Sequence, residues 1–155
     1  MIKITIITVS GNMPKAISSI WEEYKKRINK NYRIELKEIK PEQRNKNKTT
    51  IQSILEEGKR IVLAIPHNSY IIALDEKGED YDTRSFAMYF NNISGKDITF
   101  IIGGADGLDE SVKKICNKKI KLSSLTFPHH MVKIILIEQL YRVYSILNNH
   151  PYHRD

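Results

Sequence analysis

Ile98-Thr99-Phe100-Ile101-Ile102-Gly103-Gly104-Ala105-Asp106-Gly107 is the stretch on which the reading of this chain turns. Its first five residues are rich in β-branched and aromatic side chains and read as a strand. Glycines follow without an intervening polar residue. In an open α/β sheet, ligands bind beyond the carboxyl ends of the strands, so a glycine loop at this point is a candidate binding loop. Glycine there admits unusual dihedrals and lets the main chain approach a ligand closely. The spacing matches neither G-x-G-x-x-G nor G-x-x-x-x-G-K-[ST], so dinucleotide and nucleoside triphosphate motifs both fail. Taken alone, such a loop is more often a plain turn.

The rest of the chain sets the context. Upstream, residues 2–9 read as a strand ended by Gly11, and Pro14 stands where a first helical turn tolerates it. Ala16, Ile17, Ile20, Trp21, Tyr24 and Ile28 follow at helical spacing. Tyr32, Ile34 and Leu36 alternate with charged residues as a second strand, and Pro41 to Lys48 is a polar, basic loop. Thr49-x-x-Gln52 has capping-box spacing and predicts a helix through Ile51, Ile54 and Leu55. Tyr70 to Asp75 reads as a buried parallel strand, and Asp82 as the cap of a helix through Phe86 to Ile93. After the glycine loop come a short helix from about Asp109 to Cys116, a strand around Ile120 to Leu122, and a long helix from about Met131 to Leu147. Strands and helices alternate throughout, which predicts one α/β domain, residues 1–155, with a parallel sheet and helices on both faces.

Among the 155 residues, 41% are apolar and 28% charged, which excludes disorder and suits a soluble protein. No apolar run approaches the roughly 20 residues of a membrane helix. The N-terminus lacks the layout of a signal peptide, so the expected compartment is the cytoplasm. A single cysteine, Cys116, rules out an internal disulfide and every multi-cysteine zinc pattern. The net charge is +7, and Lys25 to Lys48 alone carries ten Lys/Arg against three Glu. Such clustering is an electrostatic footprint for a polyanion, because each neutralised phosphate releases a condensed counterion. The competing reading is a solvated helix face and loop.

Three further features bear on chemistry. Leu122-Ser123-Ser124-Leu125-Thr126-Phe127-Pro128-His129-His130 places three hydroxyls between a strand and a helix, a crevice suited to a polar small molecule with an adenine-like ring. Its plainer reading is a capped helix start, with Thr126 or the main chain satisfying orphan N–H groups. His129 and His130 are adjacent and lack a third ligand nearby, so no metal is expected. The long helix is apolar almost all round, which requires burial on more than one side, and one side is expected to belong to a second copy of the chain. The tail concentrates His150, Tyr152, His153 and Arg154 within its last six positions. Nucleophile machinery has no support: G-x-S-x-G is absent and Cys116 sits in an ordinary helical pattern.

Together, Ile101-Ile102-Gly103-Gly104-Ala105-Asp106-Gly107-Leu108, Leu122 through His129, Glu138-Gln139-Leu140-Tyr141-Arg142 and the ending His150-Pro151-Tyr152-His153-Arg154 resemble one family. It is the ribosomal RNA large-subunit pseudouridine N3-methyltransferase family of the SPOUT superfamily. The resemblance spans the chain and implies an α/β domain whose C-terminal part is tied into a trefoil knot. It implies S-adenosylmethionine as methyl donor, held by Leu74, Gly103, Gly104 and Leu122, Ser123, Ser124, Leu125, Thr126 and Phe127. It implies a homodimer through the last helix, and a pseudouridine of large-subunit (23S) ribosomal RNA as target on the assembled ribosome. His130 departs from the glutamine of many members. The imide N–H of a pseudouridine is a poor nucleophile until its proton leaves, so a base, or a cation that favours the anion, is needed. His153 is the expected proton acceptor, Arg154 and Arg142 hold phosphate or stabilise the anion, and Tyr152 stacks on the base. The rival class is a non-catalytic ribosome- or RNA-binding protein, which explains the charge but leaves the glycine loop unused.

Overall fold

A computed structural model describes residues 1–28 and 31–154. Five strands, β1 (Ile2–Val9), β2 (Tyr32–Ile39), β3 (Tyr70–Asp80), β4 (Ile98–Ile102) and β5 (Lys118–Lys121), form one sheet in the order β2-β1-β4-β3-β5. Every neighbouring pair is parallel. Period-2 alternation divides their side chains between two cores. Ile4, Ile6, Ile72, Ile98 and Phe100 face one side, whereas Ile7, Val9, Ala73 and Ile101 face the other.

Helices cover both faces, as the alternating pattern predicts. On the first lie α1 (Lys15–Ile28), α3 (Thr83–Ile93) and α5 (His129–Leu147), which contribute Trp21, Phe86, Phe90 and Leu136. On the second lie α2 (Thr50–Ala64) and α4 (Glu110–Ile115), through Ile61 and Val112. Local signals set several boundaries. Thr49 and Gln52 form both halves of a capping box, and the Asp82 and Asp109 side chains cap α3 and α4.

Elsewhere the structure differs from the sequence pattern. Strand β3 runs on to Asp80, because Leu74 and Glu79 both sit opposite Ile120 and the residues between them bulge outward. Gly78 makes this possible, since a Cβ there would lie 2.7 Å from the Ile120 main chain. Strand β5 is Lys118–Lys121 rather than 120–122, and Ile120 is its one buried residue, so no apolar run marks it. Helix α5 begins at His129, with Pro128 in the capping position and no side-chain cap, so Thr126 does not serve as one.

Helix α5 packs between α1 and α3 on the sheet. Its all-round apolar character is therefore satisfied largely within one chain; Leu140, for example, is only 2% exposed. A half-buried stripe remains along the outer side, through Val132, Ile135, Gln139, Arg142 and Ile146. Among the described residues, no helix is long and apolar enough to cross a membrane. Burial pushes the Cys116 thiol up to about 11, which makes it a poor nucleophile near neutral pH.

Candidate active site

The pairing of β3 with β4 stops where Leu74 lies opposite Ile102, the last residue of β4. Beyond them the glycine loop folds back on itself. Gly107 N–H donates to the Gly104 carbonyl at 3.1 Å, and Gly107 has a φ of 80°. A Cβ on Gly103 would lie 2.9 Å from the Gly107 main chain, so this glycine is required by the loop's own closure. One on Gly104 would press on Val9 at 3.2 Å and approach the Glu57 carboxylate at 3.6 Å.

This loop forms one wall of an open crevice of about 540 Å³. Leu74, Ile102, Leu108, Phe127 and Val132 give it apolar surface, and Asp75, Asp106, Lys113 and His129 give it polar groups. A smaller cavity of about 40 Å³ lies on the other side of Leu74 and is lined by Leu122, Tyr81, Phe86, Ile120 and Gln139. Four expected donor contacts (Leu74, Gly103, Gly104 and Phe127) therefore share the crevice, and Leu122 adjoins it across Leu74. Ser123, Ser124, Leu125 and Thr126 line neither space. They form a turn in which Ser123 Oγ accepts from the Leu125 N–H at 3.0 Å, and Leu125 is 73% exposed.

Crevice electrostatics follow from burial and pairing. Burial alone would raise the Asp75 carboxyl, but the Lys77 N–H at 3.0 Å and the Lys113 ammonium at 3.4 Å outweigh it and hold the group low. Burial, with His130 and Lys133 nearby, pushes His129 down and so favours its neutral imidazole. His129 Nε2 is buried with no partner. Behind it, fully buried Lys133 donates to Ser10 Oγ at 3.2 Å and lies 3.9 Å from Glu38. No group of three or more His, Cys, Asp or Glu among the described residues is placed to hold a metal. Asp75 could have been read from the sequence as the residue ending an apolar strand. Lys113 could not, because its contact with Asp75 exists only once α4 packs.

The tail folds back onto α5. Tyr152 OH donates to Glu138 Oε1 at 3.0 Å, and Arg142 Nε pairs with the same oxygen at 2.6 Å. The Arg142 guanidinium lies 5.0 Å from the Tyr152 ring centre and its Nη1 lies 3.2 Å from His153 Nδ1. Tyr152 packs on Tyr141 with ring centres 4.4 Å apart, and burial, with hydrogen bonds to Tyr24 and Glu138, pushes its phenol up. Arg142, Tyr152 and His153 are thus brought together; Arg154 is exposed beside them. This cluster is not at the crevice of its own chain. Arg142 lies ten residues beyond Val132 on α5, about 15 Å along the helix axis.

The basic segment is partly neutralised in place. Arg27 pairs with Glu23 at 2.7 Å, Lys48 with Glu42, and Lys37 donates to the Ala64 carbonyl at 2.8 Å. Arg44 pairs with buried Glu57 at 2.8 Å and with Asp106 of the glycine loop at 3.0 Å. Lys26, Lys40 and Lys46 are exposed.

A wholly parallel sheet with a glycine-walled crevice beyond its strands is the arrangement in which open α/β domains bind ligands. Residues 2–153 match the family model described as predicted SPOUT methyltransferase. Proteins named ribosomal RNA large subunit methyltransferase H are similar along nearly their whole length. That of Bordetella petrii is 44% identical over 98% of this chain and 99% of its own, and that of Chromobacterium violaceum 41% identical over 99% of each. The chain belongs to the SPOUT methyltransferase family and, within it, to the group of these ribosomal RNA large subunit methyltransferases. Two solved structures share the fold. A probable methylase family protein from Haemophilus influenzae Rd KW20 has a TM-score of 0.58 at 15% identity, covering 99% of this chain and 70% of that one. A putative RNA methyltransferase from Bacillus anthracis has a TM-score of 0.50 at 13% identity, covering 97% and 96%.

Proposed function

We propose that this chain is an S-adenosylmethionine-dependent methyltransferase acting on N3 of a pseudouridine in large-subunit (23S) ribosomal RNA. It works on the assembled ribosome, in the cytoplasm, as a homodimer whose subunits each carry a C-terminal trefoil knot. The observation that carries this reading is the crevice where Leu74, Gly103, Gly104 and Phe127 converge, at the end of β4 and beside the middle of β3.

The residues of the crevice fit the donor. Its size lies in the range of small-molecule sites. Glycine main chain and apolar walls suit an adenosine, Asp75 and Lys113 suit a zwitterionic amino acid, and the unpartnered His129 Nε2 offers a buried hydrogen-bonding position. Leu74, Gly103, Gly104 and the Leu122 to Phe127 segment would hold it. When bound, the donor supplies a methyl group on a positively charged sulfur.

The tail prepares the acceptor. A guanidinium only donates hydrogen bonds, so His153 Nδ1 accepts from Arg142 and the imidazole proton sits on Nε2. Arg142 and His153 thus present N–H groups and positive charge to a base stacked against Tyr152, and favour its N3 anion. His153 itself takes the proton once Arg142 turns from Nδ1 to the developing anion and frees that lone pair. Glu138 fixes the orientation of both Arg142 and Tyr152.

The separation of tail and crevice along α5 supports a dimer. A second copy laid on the half-buried stripe that contains Arg142 would bring one chain's tail to the other's crevice. Calorimetry tests the core of this reading. The intact protein should bind S-adenosylmethionine or its demethylated product, and a folded protein that binds neither would support a non-catalytic RNA-binding role instead.

A further inference from the structure

The basic loop and the glycine loop are far apart in sequence, yet one side chain joins them. Arg44 donates through Nε to Asp106 Oδ2 at 3.0 Å and through Nη1 to Glu57 Oε2 at 2.8 Å. Glu57 projects from α2 with only 2% of its side chain exposed, and also accepts from the Glu42 N–H at 2.9 Å. The same carboxylate underlies Gly104, where even a Cβ would stand 3.6 Å from it. The loop is clamped from its other side too, since Arg60 and Lys48 both pair with Glu42 and Arg60 donates to the Lys40 carbonyl at 3.0 Å. Asp106, by contrast, has the Arg44 guanidinium as its ion-pair partner among the described residues, and it stands in the crevice wall.

Resting on the methyl-transfer reading above, we propose that Arg44 is a positioning residue. It latches the basic loop to the glycine loop and so couples the binding of the polyanionic RNA to that of the methyl donor. The physical basis is shared ordering. A donor seated in the crevice fixes the glycine loop, Asp106 then fixes Arg44, and Arg44 holds the loop whose lysines meet phosphate. Whichever ligand binds second meets a surface already set in place, so the coupling is positive and, by linkage, reciprocal. Arg44 suits this task because a planar guanidinium can engage two carboxylates at once, which a lysine ammonium cannot do with the same geometry.

The test measures affinity for assembled ribosomes with and without saturating S-adenosylhomocysteine, after calorimetry has checked that the free protein binds this compound. The wild type should bind ribosomes about 5- to 150-fold more tightly when the crevice is filled, the usual span of such couplings. Asp106→Asn keeps Arg44 on Glu57 but removes the charge it latches, and should bring the ratio to about one. Asp106→Glu should restore it, which a merely structural role would not require. If Asp106→Asn does not fold, Arg44→Lys serves instead, because lysine can keep Glu57 while releasing Asp106. A wild type that binds the compound but shows a ratio of one overturns the latch alone, as does a wild-type ratio in Asp106→Asn. A wild type that binds no compound overturns the methyl-transfer reading and the latch with it.

Discussion

Arg142 Nη1 stands 3.2 Å from Nδ1 of His153, eleven residues further along the chain, and this pairing fixes which imidazole nitrogen holds the proton. In the proposed mechanism a histidine so held acts as a hydrogen-bond donor through Nε2 first and as a proton acceptor second.

The two roles separate by substitution. His153→Ala should lower single-turnover methyl transfer by about 10²–10⁴-fold while donor binding is unchanged. His153→Gln retains an N–H donor but cannot take a proton. If it recovers most of the lost rate, anion stabilisation is the larger part; if it matches His153→Ala, proton acceptance is. A wild-type rate in both variants would remove His153 from the reaction.

Gly103 tests the crevice. A valine there collides with the Gly107 main chain, so the loop must open rather than merely lose volume. Gly103→Val should weaken S-adenosylmethionine binding at least tenfold, with a stability loss of about 1–3 kcal/mol and an unchanged far-ultraviolet circular dichroism spectrum. Unchanged affinity measured by calorimetry would move the donor site elsewhere.

Much of this architecture is legible in the sequence where the cause is local. Thr49 with Gln52, and Asp82, announce their helices because a cap and its N–H groups lie within three residues of each other. The end of β3 and the start of β5 are hidden, because they depend on Gly78 passing close to Ile120, a contact between strands that no periodicity records. The candidate site divides the same way. Gly103 announces itself at the end of β4 and Leu74 comes from the family resemblance alone, whereas Arg44, Glu57 and Asp106 look like ordinary surface charges until three separate elements bring them together. The charge cluster of residues 25–48 is visible at once, but which of its cations are already paired is a tertiary fact.

That fact changes which lysine reports on RNA. Lys46 is exposed, whereas Lys48 is held by Glu42. Lys46→Gln should flatten the salt dependence of ribosome binding by about one unit of slope if it contacts a phosphate. Lys48→Gln should also loosen the loop, and so lower affinity beyond what the lost charge explains. Salt titrations that superimpose for wild type and Lys46→Gln would make this part of the cluster a solvated face.

Acid sensitivity has an identifiable source at the start of α3. The Ser85 N–H and hydroxyl, each 2.8 Å from Asp82 Oδ1, hold that carboxyl below its usual range. A carboxyl with a depressed folded pKa adds stability above its unfolded value, near pH 3.9, and loses it as pH falls through the folded value. Asp82→Asn should therefore melt below the wild type at neutral pH, and the gap should close below about pH 4. Thermal melts across that range check the sign; a gap that widens on acidification would contradict the assignment.

Methyl transfer to ribosomal RNA is the decisive measurement for the proposed activity. The protein is incubated with methyl-labelled S-adenosylmethionine and assembled ribosomes, separated subunits or free ribosomal RNA, and the labelled nucleoside is located by mass spectrometry. Label is expected on N3 of a pseudouridine in large-subunit RNA, with assembled ribosomes as the best substrate. Folded protein that binds both the donor and the ribosome yet leaves every RNA unlabelled would contradict it.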